Sequence, residues 1–545
     1  MLRGHKKQGR GRCVCRGVSL LFFVMGILTF MFFSPGGVIA QEQSEEFLDS
    51  IDENTVELPL KNVIVLALKN NLEIAIASLS PGIAETDIMR EESDYDPYFS
   101  LQYGKDRRVT QSANQLTGAG ADSVWQQNWD LDVDITKKFV TGTSAELRWN
   151  TNEAKTDFVF QQLVPQYKSE LNLSLTQPLL KDFGTSVGSS MISIANLNFK
   201  ISESQFKNRV MDIIYQIQNI YWNIYFQRED YKARASSLKA AENLLREFKI
   251  RIDAGTLAPI EIYEAEATVA ERRQDLIVVW DLLKDQEDRL KRALNFYERQ
   301  TDWDIAIVPA DEPRFGPVAA DLTESLREAF AYRPDYNQAK MDIEARNIMV
   351  KYTKNQTLPR LDLLGTIGTM GLAGRTNPNQ IDFGQGGNAG TPTATHWDDV
   401  ADSMASGDFY NYAVGIKIEF PFGNRYARSQ YSRAKIESAR AATFLKDLEN
   451  NVINEVRETL RQVGTDIKKL EAARATLRLS KERLAAEEKK YEVGLTTTYV
   501  LLEYQRDLAT AESRYALSRA DYEKDLANFA RAKGVLLEEY NITID

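Results

Sequence analysis

The chain has 545 residues and almost none of the side chains that most enzymes use for chemistry. Its two cysteines, Cys13 and Cys15, and one of its two histidines, His5, fall within the first forty residues, which leaves His396 as the single later imidazole. Without thiols the remainder can form no disulfide framework, no cysteine zinc site and no thiol nucleophile, and one imidazole excludes nearly all histidine-centred catalysis. Positive charge is also scarce. The first forty residues carry Arg3, Lys6, Lys7, Arg10, Arg12 and Arg16 and no acid, so 61 bases face 78 acids afterwards. An excess of 17 acids argues against nucleic acid as a partner, because phosphate binding needs a positive face. Beyond the N-terminus no window approaches the ~18 consecutive apolar residues of a spanning helix, so later membrane contact is not through one. Finally, residues 189–254 contain neither glycine nor proline, and nothing in that stretch breaks a helix.

What is present begins with an apolar run, Gly17 to Phe33, behind the basic segment. Ser-Pro-Gly-Gly and then Val38-Ile39-Ala40 follow, which fits a secretory signal peptide over 1–40 cleaved before Gln41; an uncleaved anchor is the rival reading. Both cysteines precede the apolar run, so the mature chain is expected to be exported, unlipidated and free of cysteine.

The rest repeats itself. A shift of 262 pairs Leu60 with Leu322, Ala67 with Ala329, Ala77 with Ala339 and Pro97 with Pro359, and a shift of 239 pairs Gly255 with Gly494 and Glu264 with Glu503. Ile217, Ile224, Tyr231, Leu238, Leu245 and Ile252 recur every seventh residue, matched 239 later by Val456, Val463, Leu470, Leu477, Leu484 and Tyr491. A second seam, Ile262, Val269, Leu276, Leu283, Leu290 and Tyr297, is matched by Leu501, Leu508, Tyr515, Tyr522, Phe529 and Leu536. Sustained heptads keep one apolar stripe against a partner helix, which is coiled-coil packing. Each long helix is expected to end at Gly255 or Gly494, which take the left-handed conformation cheaply, with the following threonines capping the returning helix.

Between the helices the period becomes two. Asp130 to Ile135, Ala145 to Trp149, Glu170 to Gln177 and Val414 to Phe420 alternate polar and apolar residues, and Phe99 to Tyr103 and Leu361 to Leu364 do so more weakly. In an exported chain this reads as β-barrel wall, apolar outside and polar inside. Asp130, Asp132 and Asp134 share one strand face rather than wrapping an ion, so no metal is expected there. The stretch Gly371 to Asp408, rich in glycine, asparagine and aspartate, reads as an exposed loop, and Gly384 to Gly390 lacks the strand and helix a dinucleotide fingerprint requires. The second copy thus has one clear strand pair. The first has a longer strand region with room for an extra hairpin around Thr141-Gly142. Four to six strands cannot close a membrane barrel, which starts at about eight, so several chains must share one.

The ordered set Leu66-Ala-Leu-Lys-Asn-Asn-Leu72, Arg327-Glu-Ala-Phe-Ala-Tyr-Arg-Pro334, Gln177-Pro-Leu-Leu, Phe420-Pro-Phe-Gly-Asn424 and Tyr491-Glu-Val-Gly-Leu-Thr-Thr497 resembles the TolC-like outer-membrane efflux channels. The resemblance implies an α+β membrane protein: a homotrimer sharing one β-barrel in outer-membrane lipid, continued by a long α-helical coiled-coil barrel, with two structural repeats per chain. It also implies a periplasmic adaptor (membrane fusion) protein and an inner-membrane pump as partners. The adaptor contact would be Gly255, Thr256, Leu257, Gly494, Leu495 and Thr496. The periplasmic gate would be Glu503 in an acidic ring, Tyr491 as a linking tyrosine and Glu261 as its acidic partner. The sequence departs from the family where Val500 replaces a second ring acid and Thr496 a linking arginine.

The expected domains are a first outer-membrane efflux repeat over 57–298 with strands in 97–178, a linker over 299–321, and a second repeat over 322–538 with strands in 359–422. The expected function is the outer-membrane channel of a tripartite efflux or type I secretion system, a passive conduit that is not an enzyme and needs no cofactor, catalytic residue or metal. A periplasmic coiled-coil scaffold or adaptor without a pore is the alternative.

Overall fold

The computed structural model describes residues 55–112, 122–256, 258–297, 305–316, 321–378 and 396–542. The signal peptide, Leu257 and the Gly384 to Gly390 stretch lie outside the described residues. The chain opens with strand β1 (Thr55–Leu58), helices α1 (Leu60–Asn70) and α2 (Leu72–Ser93), and strands β2 (Tyr98–Gln111), β3 (Ser123–Lys138), β4 (Ser144–Thr156) and β5 (Leu163–Pro178). A short helix α3 (Thr185–Gly188) leads into α4 (Ser190–Asp253), of 64 residues, and α5 (Glu261–Leu294) returns beside it. After β6 (Ala306–Pro309) the order begins again with α6 (Leu322–Tyr332), α7 (Pro334–Asn355) and β7 (Arg360–Thr376). It continues through α8 (Trp397–Ala405), β8 (Tyr410–Glu419), the 68-residue α9 (Arg425–Glu492), α10 (Thr498–Lys533) and α11 (Leu536–Glu539).

Helices α6 and α7 begin and end 262 residues after α1 and α2, and α4 and α9 end 239 residues apart. Asn71, between α1 and α2, donates through Nδ2 to the Ala293 carbonyl (2.8 Å), while its Oδ1 caps α2 at Glu73 and Ile74. Arg333, at the matching junction, donates to the Ala532 carbonyl (2.9 Å), which is the residue equivalent to Ala293. Asn295 and Gly534, also 239 apart, both end their helices in the left-handed region. The same backbone contact is thus made by different side chains, so the likeness between the halves lies in geometry more than in identity.

At ~1.5 Å per residue, α4 and α9 are each roughly 100 Å long. No glycine or proline interrupts α4, and the heptad seams supply the packing face. Ile217, Ile224, Val456, Val463, Leu470, Leu283, Leu290, Tyr522 and Phe529 are all buried. Each such side chain contributes about 1.5–3 kcal/mol on leaving water, which is what holds helices of this length in register. The stretch read as a linker is partly ordered sheet: β6 pairs in parallel with β1, from Thr55 with Ala306 to Leu58 with Pro309. Four residues with one wholly buried position, Ile307, give too short a signal to stand out in the sequence. Tyr221 of α4 fastens this pair to the rods, its hydroxyl donating to the Leu58 carbonyl (3.0 Å) and Asp311 Oδ2 (2.9 Å).

The other six strands form one antiparallel sheet in the order β2-β3-β4-β5-β7-β8. The β3–β4 hairpin turns through Phe139 to Thr143, where the sequence had room for it. Two elements depart from the loop expected over Gly371 to Asp408: β7 runs on to Thr376, and residues 397–405 are helix α8. Gly365, Gly368, Gly371 and Gly374 mask the alternation of β7 because they add no side chain to either face. Helix α8 starts with a capping box between His396 and Asp399, a polar pattern that reads as loop when its spacing is overlooked. No single described helix is long and apolar enough to cross a membrane, although α1 and α2, bent by 51°, pass that test as a pair; neither fact bears on a β-barrel.

Candidate functional site

Two regions carry the chemistry, the sheet and the hairpin turns at the far end of the rods. Register sorts the sheet into two faces. Phe99, Leu101 and Tyr103 of β2 pair with Ile135, Val133 and Leu131, which pair in turn with Leu147, Trp149 and Thr151. The same face continues through Leu173 and Leu171 of β5 to Ile367 of β7 and Tyr412 of β8. Tyr412, Val414, Ile416 and Ile418 lie open on it, Val414 at 79% exposure. The opposite face is a cross-strand polar ladder. Arg148 donates to Asp134 (2.7 Å), Asn150 to Asp132, Asn152 to Asp130 (2.5 Å) and Asn128 to Asp106 (3.2 Å). Asn172 accepts from Asn411 (3.2 Å), and the hydroxyls of Ser174 and Thr366 bond each other (3.2 Å). The aspartate row is therefore tied to neighbouring strands at every step.

At the other end, Gly255 (φ 73°) and Gly494 (φ 74°) adopt the left-handed conformation. In both turns the next amide closes a six-residue loop, Thr256 to the Arg251 carbonyl and Leu495 to the Lys490 carbonyl, each at 2.9 Å, with the glycine amide bonded inside it. A Cβ on either glycine would meet nothing within 4 Å, so backbone strain rather than collision selects glycine. The threonines do not cap the returning helices as expected. Thr256 Oγ1 reaches back to the Arg251 carbonyl (2.9 Å), and Thr497 makes no side-chain cap. Thr496 instead hydrogen-bonds Glu487, and together with Lys490 (2.9 Å) it holds that carboxyl below the usual carboxylate range. Around the turns Leu495, Val493, Ile260 and Tyr263 are exposed apolar side chains.

Tyr491 packs against a buried cluster of Leu244, Phe248, Ala265, Leu501 and Leu502, with the Arg251 guanidinium over its ring at 5.7 Å. Glu261 lies in the first turn of α5, and no hydrogen bond or ion pair among the described residues joins it to Tyr491. Glu503 is exposed and shares a polar cleft with its repeat partner Glu264, beside Arg234, Arg272 and Arg506. Arg272 was not singled out by sequence reasoning. It is 6% exposed, and its guanidinium donates to the Ser237 carbonyl of α4 (2.8 Å), the Leu502 carbonyl of α10 (2.9 Å) and Gln505 (3.3 Å). It thereby ties the first hairpin to the second. The available signal was its place in the seam, three residues after Val269 and four before Leu276, where its repeat partner is Ala511.

Higher on the rods, Asp466 of α9 and Asp525 of α10 share a hydrogen bond. Burial opposes ionisation of Asp466, yet hydrogen bonds from Asp525, Lys469 and Gln462 keep its carboxyl below the usual range. Burial and the Asp466 charge push Asp525 up to about 7.

Residues 325–535 match the family model described as outer membrane efflux protein. Over that stretch the chain is similar to outer membrane efflux proteins. The outer membrane efflux protein BepC of Brucella suis biovar 1 (strain 1330) is 22% identical over 372 residues, covering 66% of this chain and 70% of the relative. Among solved structures, a membrane protein of Pseudomonas aeruginosa has a TM-score of 0.62 at 17% identity, covering 87% of this chain and 93% of its own. The CmeC outer membrane channel of Campylobacter jejuni has a TM-score of 0.62 at 16% identity, with 89% and 90% covered. The open-state MtrE outer membrane channel of Neisseria gonorrhoeae has 0.60 at 16%, with 88% and 89% covered. At these identities the structures establish the fold, and the family-model match points to the class of function. The TolC-like resemblance is supported: residues 325–535 match the outer membrane efflux protein model, most of the chain has the fold of solved outer membrane channels, and these matches support an outer-membrane location.

Proposed function

We propose that three copies of this chain form one passive conduit, a shared β-barrel continued by a helical tunnel, serving as the outer-membrane part of a tripartite efflux or type I secretion system. The observation that carries this reading is the open sheet, apolar on one face, polar on the other, with β2 and β8 as edges that have no further partner among the described residues. Unpaired edges invite pairing with another chain. Three such sheets bring the strand number to roughly that of 16–18-stranded barrels, which leave an aqueous channel. The apolar row Leu72, Ile76, Leu79 and Ile83 on α2 is exposed at helical spacing and fits burial against a neighbouring copy.

The polar ladder would line the lumen. Gly255, Thr256, Leu257, Gly494, Leu495 and Thr496 would meet a periplasmic adaptor, joined in turn to an inner-membrane pump. Glu503 would supply a ring of acids at the constriction, with Tyr491 and Glu261 beside it, and opening would be an untwisting of the paired hairpins at this tip. The test is outer-membrane fractionation with cross-linking, followed by conductance in planar bilayers. A cross-linked trimer in the outer membrane that conducts is expected. Recovery only from the soluble periplasm would overturn the proposal in favour of a pore-free scaffold.

A further inference from the structure

Helix α8 lies on the apolar face of the sheet, not on the polar one. Val400, 1% exposed, and Met404 pack over Trp149, Leu171 and Thr369. The fit is close: a Cβ on Gly371 would stand 2.4 Å from the Val400 carbonyl and 2.8 Å from Met404 Cγ. Thr369 Oγ1 donates to the Met404 carbonyl (2.9 Å), satisfying an end of the helix that would otherwise be open. Beneath the helix the Trp149 indole donates to Ser169 (2.8 Å), so polar atoms covered here are paired. At its start Trp397 joins a line of rings: Tyr103 to Trp129 (5.7 Å), Trp129 to Trp397 (5.7 Å) and Trp397 to Tyr167 (4.7 Å).

That line divides the face. On the side toward the rods the same-face residues are Leu101, Val133, Leu147, Leu171, Ile367 and Ile416; on the far side Arg107 lies over Trp125, and Lys155 pairs with Glu153. Along β7, Leu361 to Thr369 is eight residue steps and Leu361 to Ala373 twelve. At ~3.3 Å per step and a tilt of about 40°, these correspond to roughly 20 and 30 Å along the membrane normal. A barrel's apolar band is about 25 Å tall and is edged by aromatic girdles. Its upper edge therefore falls within the span of α8. Opposite Val400 and Met404, α8 exposes Asp398 and Asp402, and Ala401 and Ala405 are exposed on its flank beside the cleft with Trp149, which suits the headgroup layer and not the acyl chains.

We infer that α8 is an interfacial helix, seated by Gly371 and Trp397 on the outer surface of the barrel wall, that meets the lipid headgroups of the leaflet distal to the rods and fixes the depth of the barrel there. The inference rests on the reading that the apolar face meets lipid. Because the chain after residue 40 has no cysteine, single spin labels can report depth. Ala401→Cys and Val414→Cys trimers would be labelled in vesicles of phosphatidylethanolamine and phosphatidylglycerol, and their access to oxygen and to a nickel chelate compared. The expected result is a several-fold higher oxygen-to-nickel ratio at Val414→Cys, with Ala401→Cys at phosphate level. Adding Gly371→Val should move the Ala401→Cys label into bulk water while leaving the Val414→Cys reading unchanged. An Ala401→Cys label that is fully aqueous or as deep as Val414→Cys, or one indifferent to Gly371→Val, would overturn the interfacial helix. An aqueous Val414→Cys label would instead overturn the membrane reading beneath it.

Discussion

Replacing Arg272 with Met should loosen the tip while leaving the trimer intact. The guanidinium is buried, makes three hydrogen bonds and has no ion pair among the described residues. Each hydrogen bond from a charged donor contributes about 1.5–3 kcal/mol, but a buried charge without a carboxylate partner costs several kcal/mol. The two nearly cancel, and Met keeps much of the volume, so folding stability should change by no more than about 2 kcal/mol. The Ser237 and Leu502 carbonyls lie within helices, so losing Arg272 orphans neither. The closed-to-open balance is different. If opening parts the two hairpins, the Leu502 and Gln505 bonds are the ones broken. After partial rehydration of the guanidinium on opening, their net value is about 1.5–2 kcal/mol per chain, a shift of roughly 10- to 30-fold toward the open state.

Planar-bilayer conductance reads this directly, with thermal melting of the trimer as the control. Higher resting conductance or longer open times at an unchanged melting temperature are expected for Arg272→Met, with partial rescue by Arg272→Lys, which keeps the charge but not the planar fork. Wild-type conductance from a normally melting Arg272→Met trimer would refute the latch. A fall in melting temperature with unchanged gating would make Arg272 a packing residue only.

Gly494→Val should impair export without loss of trimer, because a β-branched residue at φ 74° is strained by about 1–2 kcal/mol in open space and so deforms the turn without a clash; normal export would remove the turn from the docking site. Glu503→Gln should lower the cation preference of the closed channel, measured as a reversal-potential shift in a salt gradient, and no shift would remove Glu503 from the constriction. Asp525→Asn should flatten a pH dependence. With its carboxyl raised to about 7, the folded chain keeps a proton the unfolded chain has lost, so stability falls as pH rises from about 4 to 7. Three units correspond to about 4 kcal/mol, which solvent screening at this half-exposed site cuts to roughly 1–2 kcal/mol. The variant should therefore melt higher than wild type at pH 8 but not at pH 5, and equal melting at pH 8 would mean the pair bears no such strain.

What was legible in the sequence was what recurs. Heptads sustained over six positions located both long hairpins, and Gly255 and Gly494 marked where each reverses. Strand alternation was legible where both faces carried side chains, as in Asp130 to Ile135, and invisible where glycines interrupted both faces, as in the upper half of β7. Helix α8 was lost for a related reason: nine residues hold only Trp397, Val400 and Met404 as an apolar stripe, and that stripe has meaning only once Gly371 is known to clear a place for it.

The residues missed at the tip and junctions share a property that points to where specificity lies in a duplicated chain. Arg272 answers to Ala511, Arg333 to Asn71, and the four strands β2 to β5 to the pair β7 and β8. Comparing the halves rewards agreement, so it finds the scaffold and passes over Arg272 and Arg333, although the longer strand region of the first half was visible as extra length. Yet a conduit built from two equivalent hairpins would gain little by holding both with the same grip. If one hairpin is to move against the other, the bond between them must be made by one half and received by the other, as Arg272 does across to the Leu502 carbonyl and Gln505. In such a chain the broken matches between repeats are the positions to mutate first when gating is the question, and the kept matches when assembly is.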